Sequence, residues 1–391
     1  MKQFFTCILA ILLLFSCRED DVVLQPEIVE VEQITTDTTL VNTDSTQVNY
    51  GKTLIGFYLL NEGNMGSNKS TLDYMDLTTG IYHRNIFAAA NPTVPKEMGD
   101  VGNDIQIYGS KLYAVINCSN KVEVMDKYTA VRLGQINIPN CRYIAFHEGY
   151  AYVTSYAGPV ELNPEYEQKG YVAKVDTTTF EVLEICLVGF QPDEIEIIDN
   201  KIYVANSGGY MFPNYESTVS VIDIASFTEI KRIEVAINLH RLKADKYGNL
   251  WVSSRGDYYD IPSRLYWIDT EADTLAGSLP LAVTEMTLDG DSLYVYSTEF
   301  SYINFDWDIT FGIIDVKTKQ IKTRNFIANG YEKKIAMPYG IMVNPINKDI
   351  YLTDASGFIY PGELLCFNKY GEKKWTVQTG DIPAHFALLW K

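Results

Sequence analysis

Apolar and polar residues alternate with period two over residues 194–198, EIEII, and again over residues 201–206, KIYVAN, with a tight Asp199-Asn200 turn between them. A loop rich in aromatic residues follows, and a third alternating run, TVSVID, ends at Asp223. β-Branched and aromatic residues in period-two order, bounded by Asn, Asp, Gly and Pro, predict strand–turn–strand. One such unit cannot bury its apolar face alone, so the chain must repeat it.

It does so seven times. Runs equivalent to TVSVID end at Asp76, Asp126, Asp176, Asp223, Asp269, Asp315 and Asn368, at spacings of about 46 to 53 residues, the range of propeller blades. The terminal Asp is expected to start a turn through its side chain. The run before it carries an aromatic residue at one fixed place, from Tyr58 and Tyr113 to Tyr351, expected to pack between adjacent sheets. The innermost run is missing before the first copy and appears instead at residues 382–389, IPAHFALL. The C-terminus therefore completes the blade that the N-terminus begins, which closes the ring and removes free sheet edges. The predicted fold is all-β: a seven-bladed β-propeller of four-stranded sheets over residues 51–391.

The connections divide the disc into two faces. Those between first and second strands are tight turns. Those after the second strands are long in blades three to seven, so that face is the functional candidate. Its loops hold Tyr156, Tyr166, Tyr210, Phe212, Tyr215, Tyr258, Tyr259, Phe300, Tyr302, Phe305, Trp307, Phe358 and Tyr360. Tyr166 and Phe305 are expected to pack under their own loops. Pro192, Asp193 and Glu194 set the channel mouth, and Arg142 and Arg241 face it from neighbouring strand starts. Rings with a few polar tips, Asn206 and Arg255 among them, suit a large amphipathic ligand with a flat face.

Residues 1–17, MKQFFTCILAILLLFSC, form an export signal with a short apolar core. Leu14-Phe15-Ser16-Cys17 resembles a bacterial lipobox, which makes Cys17 the lipidated residue. Residues 18–50 carry Thr, Val, Asp and Gln with almost no aromatics and are expected to be a flexible acidic, Thr-rich tether. The formal charge of −18 argues against nucleic acid or anionic lipid surfaces as partners. Cys186 and Cys366 lie in apolar strands and read as core. Cys118 and Cys141 sit at equivalent ends of neighbouring repeats, where a disulfide is open outside the cytoplasm.

The chemistry of catalysis is thin. No GxSxG, HExxH or Gly-rich phosphate loop occurs, and none of the four His lies in a nucleophile context. Asp104, Glu194, Glu285 and His385, with His240 beside them, fall at the channel, where carboxylates could hold a hard cation. Salt-bridged lining with Arg142 and Arg241 is the favoured account. No catalytic residue and no resident metal or cofactor is expected.

The repeat resembles the YncE-like seven-bladed propellers over roughly residues 54–391. Within that group, residues 17–21 (CREDD), residues 59–76 (LLNEGNMGSNKSTLDYMD), the acidic ring and the aromatic loop face resemble the BtuG-type surface lipoproteins of Bacteroidetes. That resemblance implies a non-enzymatic, lipid-anchored protein on the surface of the outer membrane. It would bind cobalamin (vitamin B12) and pass it to a TonB-dependent transporter. The ligand-contacting set would come from Arg142, Tyr156, Asn206, Tyr210, Phe212, Tyr215, Arg241, Arg255, Tyr258, Tyr259, Phe300, Trp307, Phe358 and Tyr360. A propeller binding glycan or protein, or a metal-dependent hydrolase using the channel carboxylates, are the alternatives.

Overall fold

In the computed structural model the described residues are 52–301 and 305–391, together with the backbone of 21–23. The export signal, Cys17, most of the expected tether and Tyr302 lie outside them. The chain forms seven four-stranded antiparallel sheets, with a short extra strand on the first. Blade four shows the plan: Pro192–Ile198 is innermost, followed outward by Lys201–Asn206, Thr218–Asp223 and Thr228–Glu234. The seven innermost strands touch one another in cyclic order and line a central channel.

The ring closes as the sequence requires. Pro383–Trp390 pairs with Leu54–Asn61, with Leu60 opposite His385 and Leu54 opposite Trp390. Asp21–Val23 adds a fifth strand to the outer edge of this blade, pairing with Ile81–His83.

The repeated residues do the same job in each blade. Asp76, Asp126, Asp176, Asp223, Asp269, Asp315 and Asn368 each accept a backbone N–H two or three residues ahead, such as Tyr128 N to Asp126 Oδ1 at 3.0 Å. The fixed aromatic residue is fully buried in blades one to five and seven. It packs on the next blade and, where its hydroxyl finds a partner, bonds across: Tyr58 donates to Lys127 O at 2.6 Å and Tyr203 to Asp273 Oδ1 at 2.6 Å. Cys186 and Cys366 are buried, and all four mature-domain cysteines are free thiols, Cys118 exposed and Cys141 buried.

Two irregularities recur at the starts of most inner strands. The residue before it has a left-handed backbone in five blades: Val101 (φ 59°), Asn140 (43°), Gln191 (46°), Asn238 (54°) and Ile382 (55°). For β-branched Val101 and Ile382 this is a strained conformation. Immediately afterwards the ladder carries a bulge. Pro192 pairs with Asn206 and Ile195 with Val204, so one extra residue stands on the inner strand. The same shift occurs in blades one, two, three, five and seven. A bulge breaks the in–out alternation and re-aims side chains. Here it turns consecutive polar residues toward the channel: Arg142 with Tyr143, Asp193 with Glu194, and His240 with Arg241.

Candidate functional site: an aromatic rim around a polar mouth

The long loops on one face form the rim. Those of blades three and four are knitted together: Asn163 N donates to Tyr210 O at 2.8 Å, and Asn214 Nδ2 to Pro164 O at 3.1 Å. In blade five, Gly256 sits at φ 64°, and a Cβ there would stand 2.0 Å from Ile261 O, so only glycine fits. Asp257 then accepts from Tyr259 N at 2.9 Å and Ile261 N at 2.8 Å. This turn holds Tyr258 in the left-handed region (φ 68°) and displays both tyrosines. In blade six, Ser292–Ser301 and Asp306–Asp315 pair along their whole length as a hairpin of ten-residue strands. Phe300 and Trp307 stack edge to face at 5.4 Å on it.

The rim rings are exposed. Tyr259 and Tyr360 are each 68 % accessible, Tyr258 56 %, Trp307 45 %, Tyr210 42 % and Phe212 39 %. Phe212 lies 5.9 Å from Tyr259 and 6.0 Å from Tyr215, joining the loops of blades four and five into one apolar surface. Exposed apolar surface gathered in one place and rimmed by polar groups marks a binding site.

Several expected contact residues sit elsewhere. Asn206 is fully buried: its Oδ1 accepts from Gly189 N at 3.1 Å, and its Nδ2 donates to Thr218 Oγ1 at 3.1 Å and Ser220 Oγ at 2.9 Å. It ties blade four together and presents nothing to the face. Tyr156 is also buried, its hydroxyl 2.8 Å from Asp193 Oδ1, so it supports the mouth from beneath. Phe358 is half-buried against Tyr339 at 5.6 Å. Phe305, expected to pack under its loop, is instead 75 % exposed at the hairpin tip. Tyr166 is half-buried, with its hydroxyl 3.2 Å from Pro159 O, as expected.

Inside the rim, charges are arranged in layers. Fully buried Asp193 lies at the mouth. Arg142 donates to its Oδ1 from Nε and Nη2, at 3.2 and 3.1 Å, and Arg255 Nη1 lies 3.5 Å from Oδ2. The Arg142 guanidinium stands 4.8 Å from the Tyr156 ring centre. Arg241 pairs with Glu285 at 2.6 Å, donates to the Tyr143 hydroxyl, and lies 5.2 Å from the Tyr143 ring centre. Deeper, Lys243 reaches Glu194 at 2.5 Å and Glu196 at 3.8 Å, while Glu194 also accepts from Leu242 N. Asp104 accepts from Ile144 N at 3.0 Å. His385 Nε2 and the Tyr339 hydroxyl each meet Glu62, at 3.0 and 2.8 Å.

Burial dominates the proton affinities here. It pushes the Glu196 carboxyl up to about 7 against the pull of Lys243, and it raises Asp104 and Glu285. It drives His240 well below the usual imidazole range, helped by Arg255, Arg241 and Arg142. The channel acids expected to line the axis are therefore held by cations and backbone amides. Among the described residues, no group of three or more His, Cys, Asp or Glu could hold a metal ion. Tyr143, Glu62 and Tyr339 are channel residues that alternation alone did not indicate, whereas Glu196 and Lys243 follow Glu194 and Arg241 by two residues on the same face and were passed over.

A family model described as a domain of unknown function, DUF5074, matches residues 55–382. No curated protein matches the chain. Solved structures of similar fold include hydrazine synthase of Kuenenia stuttgartiensis, at TM-score 0.59 and 15 % identity, covering 73 % of this chain and 88 % of that one. A quinonprotein alcohol dehydrogenase-like protein of Bacteroides thetaiotaomicron matches at TM-score 0.58 and 15 % identity, covering 86 % of this chain and 79 % of that one. Apo AztD of Citrobacter koseri matches at TM-score 0.51 and 12 % identity, covering 86 % and 97 %. At such identities these likenesses establish the propeller fold, and propellers host many activities.

Proposed function

The chain belongs to the DUF5074 family, and from the face its fold elaborates we propose that it is a non-enzymatic binding protein that captures a corrinoid, cobalamin, at the cell surface. The observation carrying this reading is the set of exposed rings on the long-loop face, Tyr210, Phe212, Tyr258, Tyr259, Trp307 and Tyr360, around a polar mouth. A large flat ligand with an apolar face and amide edges fits such a surface: rings take the face, and Tyr hydroxyls, Arg255 and loop amides take the edges. The resemblance of residues 17–21 and 59–76 to BtuG-type lipoproteins supports the choice of ligand.

The same reading makes Cys17 the lipid attachment point on the outer membrane and a TonB-dependent transporter the recipient of the ligand. Replacing Cys17→Ala should release the protein from membranes while leaving ligand capture intact. The direct test of capture uses the full mature chain mixed with cyanocobalamin and gel-filtered. Visible absorbance should comigrate with the protein at micromolar concentration, and a colourless protein peak would overturn the reading.

The hydrolase alternative gains no support from the channel, because Glu194 and Glu285 are engaged by Lys243 and Arg241. A glycan could stack on the same rings. Comigration with cyanocobalamin that an excess of mixed oligosaccharides fails to displace separates the two.

A further inference from the structure

Three guanidiniums meet at the mouth. Among the described residues, Arg142, Arg241 and Arg255 converge there and pair with Asp193 and Glu285, with Glu194 also near Arg241. This cluster of guanidiniums stands in a chain whose formal charge is −18. The guanidiniums are close neighbours. Arg142 and Arg255 share the two oxygens of Asp193, and Arg142 and Arg241 lie 5.9 and 5.2 Å from the same Tyr143 ring. His240, from the same bulge as Arg241, feels all three.

Two buried nitrogens in this group are unanswered. Arg241 Nε has no hydrogen-bond partner, and neither has His240 Nδ1, although the residues are only 8 % and 6 % accessible. Arg255 is the loosest member: its single contact with Asp193 is at the 3.5 Å limit, and its side chain is 31 % accessible. A buried polar group left without a partner costs free energy, and a native protein retains it for a reason. Asp193, fully buried and bonded by Arg142, Arg255 and Tyr156, acts as the post that aims these guanidiniums.

We propose that the channel mouth is a binding site for one oxyanion group of a ligand, a phosphodiester or a carboxylate, received by Arg255, Arg142, Arg241 and His240. Guanidinium groups present paired N–H donors that match the oxygens of either anion, and charge-assisted bonds of this kind are about twice as strong as neutral ones. A monoanion makes charge-assisted bonds to these guanidiniums, whereas a neutral ester offers acceptors but no charge. The site lies at the centre of the aromatic rim, so it gives the face a fixed point from which a larger ligand is oriented. This deepens the capture reading by specifying what the centre of the face recognises, but it stands on the arginine cluster and not on the rings.

Dimethyl phosphate, a phosphodiester monoanion, tests it against trimethyl phosphate, the neutral ester of similar shape. Phosphorus NMR line broadening is recorded with the full mature chain and with Arg255→Gln, whose half-exposed site leaves the fold intact. Dimethyl phosphate should broaden saturably at millimolar concentration, trimethyl phosphate should not, and Arg255→Gln should weaken the anion by about tenfold. Acetate competition reports whether a carboxylate is accepted in the same place. Equal behaviour of the two esters, absence of broadening, or an unchanged Arg255→Gln variant would each overturn the site. Because cyanocobalamin comigration is measured separately, anion binding without corrinoid capture would remove the corrinoid reading alone, and the reverse would remove the anion site alone.

Discussion

Arg142 donates from both Nε and Nη2 to a single oxygen, Oδ1 of Asp193, and Asp193 is wholly shielded from solvent. The pair joins the inner strands of blades three and four across the mouth. A buried carboxylate is tolerable only while its partners surround it, and the same holds for the guanidinium left behind when it is removed. Asp193→Ala should therefore cost about 3–5 kcal/mol, the cost of breaking a buried ion pair from one side. Urea unfolding of the variant measures it. A midpoint equal to wild type would mean that Arg142 finds water or another acceptor, and that the mouth is less enclosed than its geometry states.

The rim rings lie at the opposite extreme. Tyr259 and Trp307 are 68 % and 45 % exposed, so truncating them removes little packing. Tyr259→Ala and Trp307→Ala should each leave the melting temperature within about 2 °C of wild type while weakening cyanocobalamin capture about tenfold, the scale of a well-buried aromatic contact at an interface. Tyr156→Ala should do the reverse, since its ring is buried and its hydroxyl bonds Asp193. If Tyr259→Ala melted early with capture unchanged, that ring would belong to loop packing instead.

The fold was legible because a propeller writes its plan seven times. Each terminal Asp, each fixed aromatic and the displaced innermost strand were visible in the chain before any contact was known. Which face carries the long aromatic loops was legible from loop length alone. The interior of the mouth was less so, and the reason is the bulge. Period-two reading assigns one of two consecutive residues to the channel, but a bulge turns both inward, so Tyr143 joined Arg142 unannounced. Polar pairs at the start of an otherwise alternating run, such as Cys-Arg-Tyr, Pro-Asp-Glu and Leu-His-Arg, are the signal that marks it. Asn206 misled for a related reason: a polar residue ending a strand before a variable loop can be spent entirely on its own blade.

Glu196 gives the channel a measurable pH response. Burial holds its carboxyl up at about 7, against an ordinary 4.5, despite Lys243 3.8 Å away and with Glu194 and Asp104 adding repulsion. Between these values the folded protein keeps a proton that the unfolded chain releases. The unfolded state binds fewer protons there, so stability falls as pH rises from about 4.5 to about 7. Asp349, raised by burial to about 6, adds the same sign over a narrower window. Glu196→Gln should flatten the decline, leaving Lys243 its contact with Glu194. Urea midpoints taken from pH 5 to 8 check this, and an unaltered slope in Glu196→Gln would assign the pH response to other groups.

Closure should be an all-or-none property of the ring. Pro383–Trp390 supplies the whole inner strand of blade one, and its side chains serve two cores at once. Ala387 and Leu389 pack with Tyr58, Leu60 and Ile105 toward blade two, while Phe386 and Leu388 pack with Phe57, Tyr351 and Met342 toward blade seven. His385 adds its bond to Glu62. Removing residues 381–391 therefore strips the ladder from Leu54–Asn61 and opens the interfaces on both sides, exposing a sheet edge that the ring otherwise abolishes. The truncated chain should show no cooperative melt and should aggregate. A single change, Leu389→Ala, should cost only about 2–5 kcal/mol, as for other buried leucines, and keep a sharp transition. A truncated chain melting as one unit near the wild-type temperature would mean that six complete blades hold the ring without its final strand.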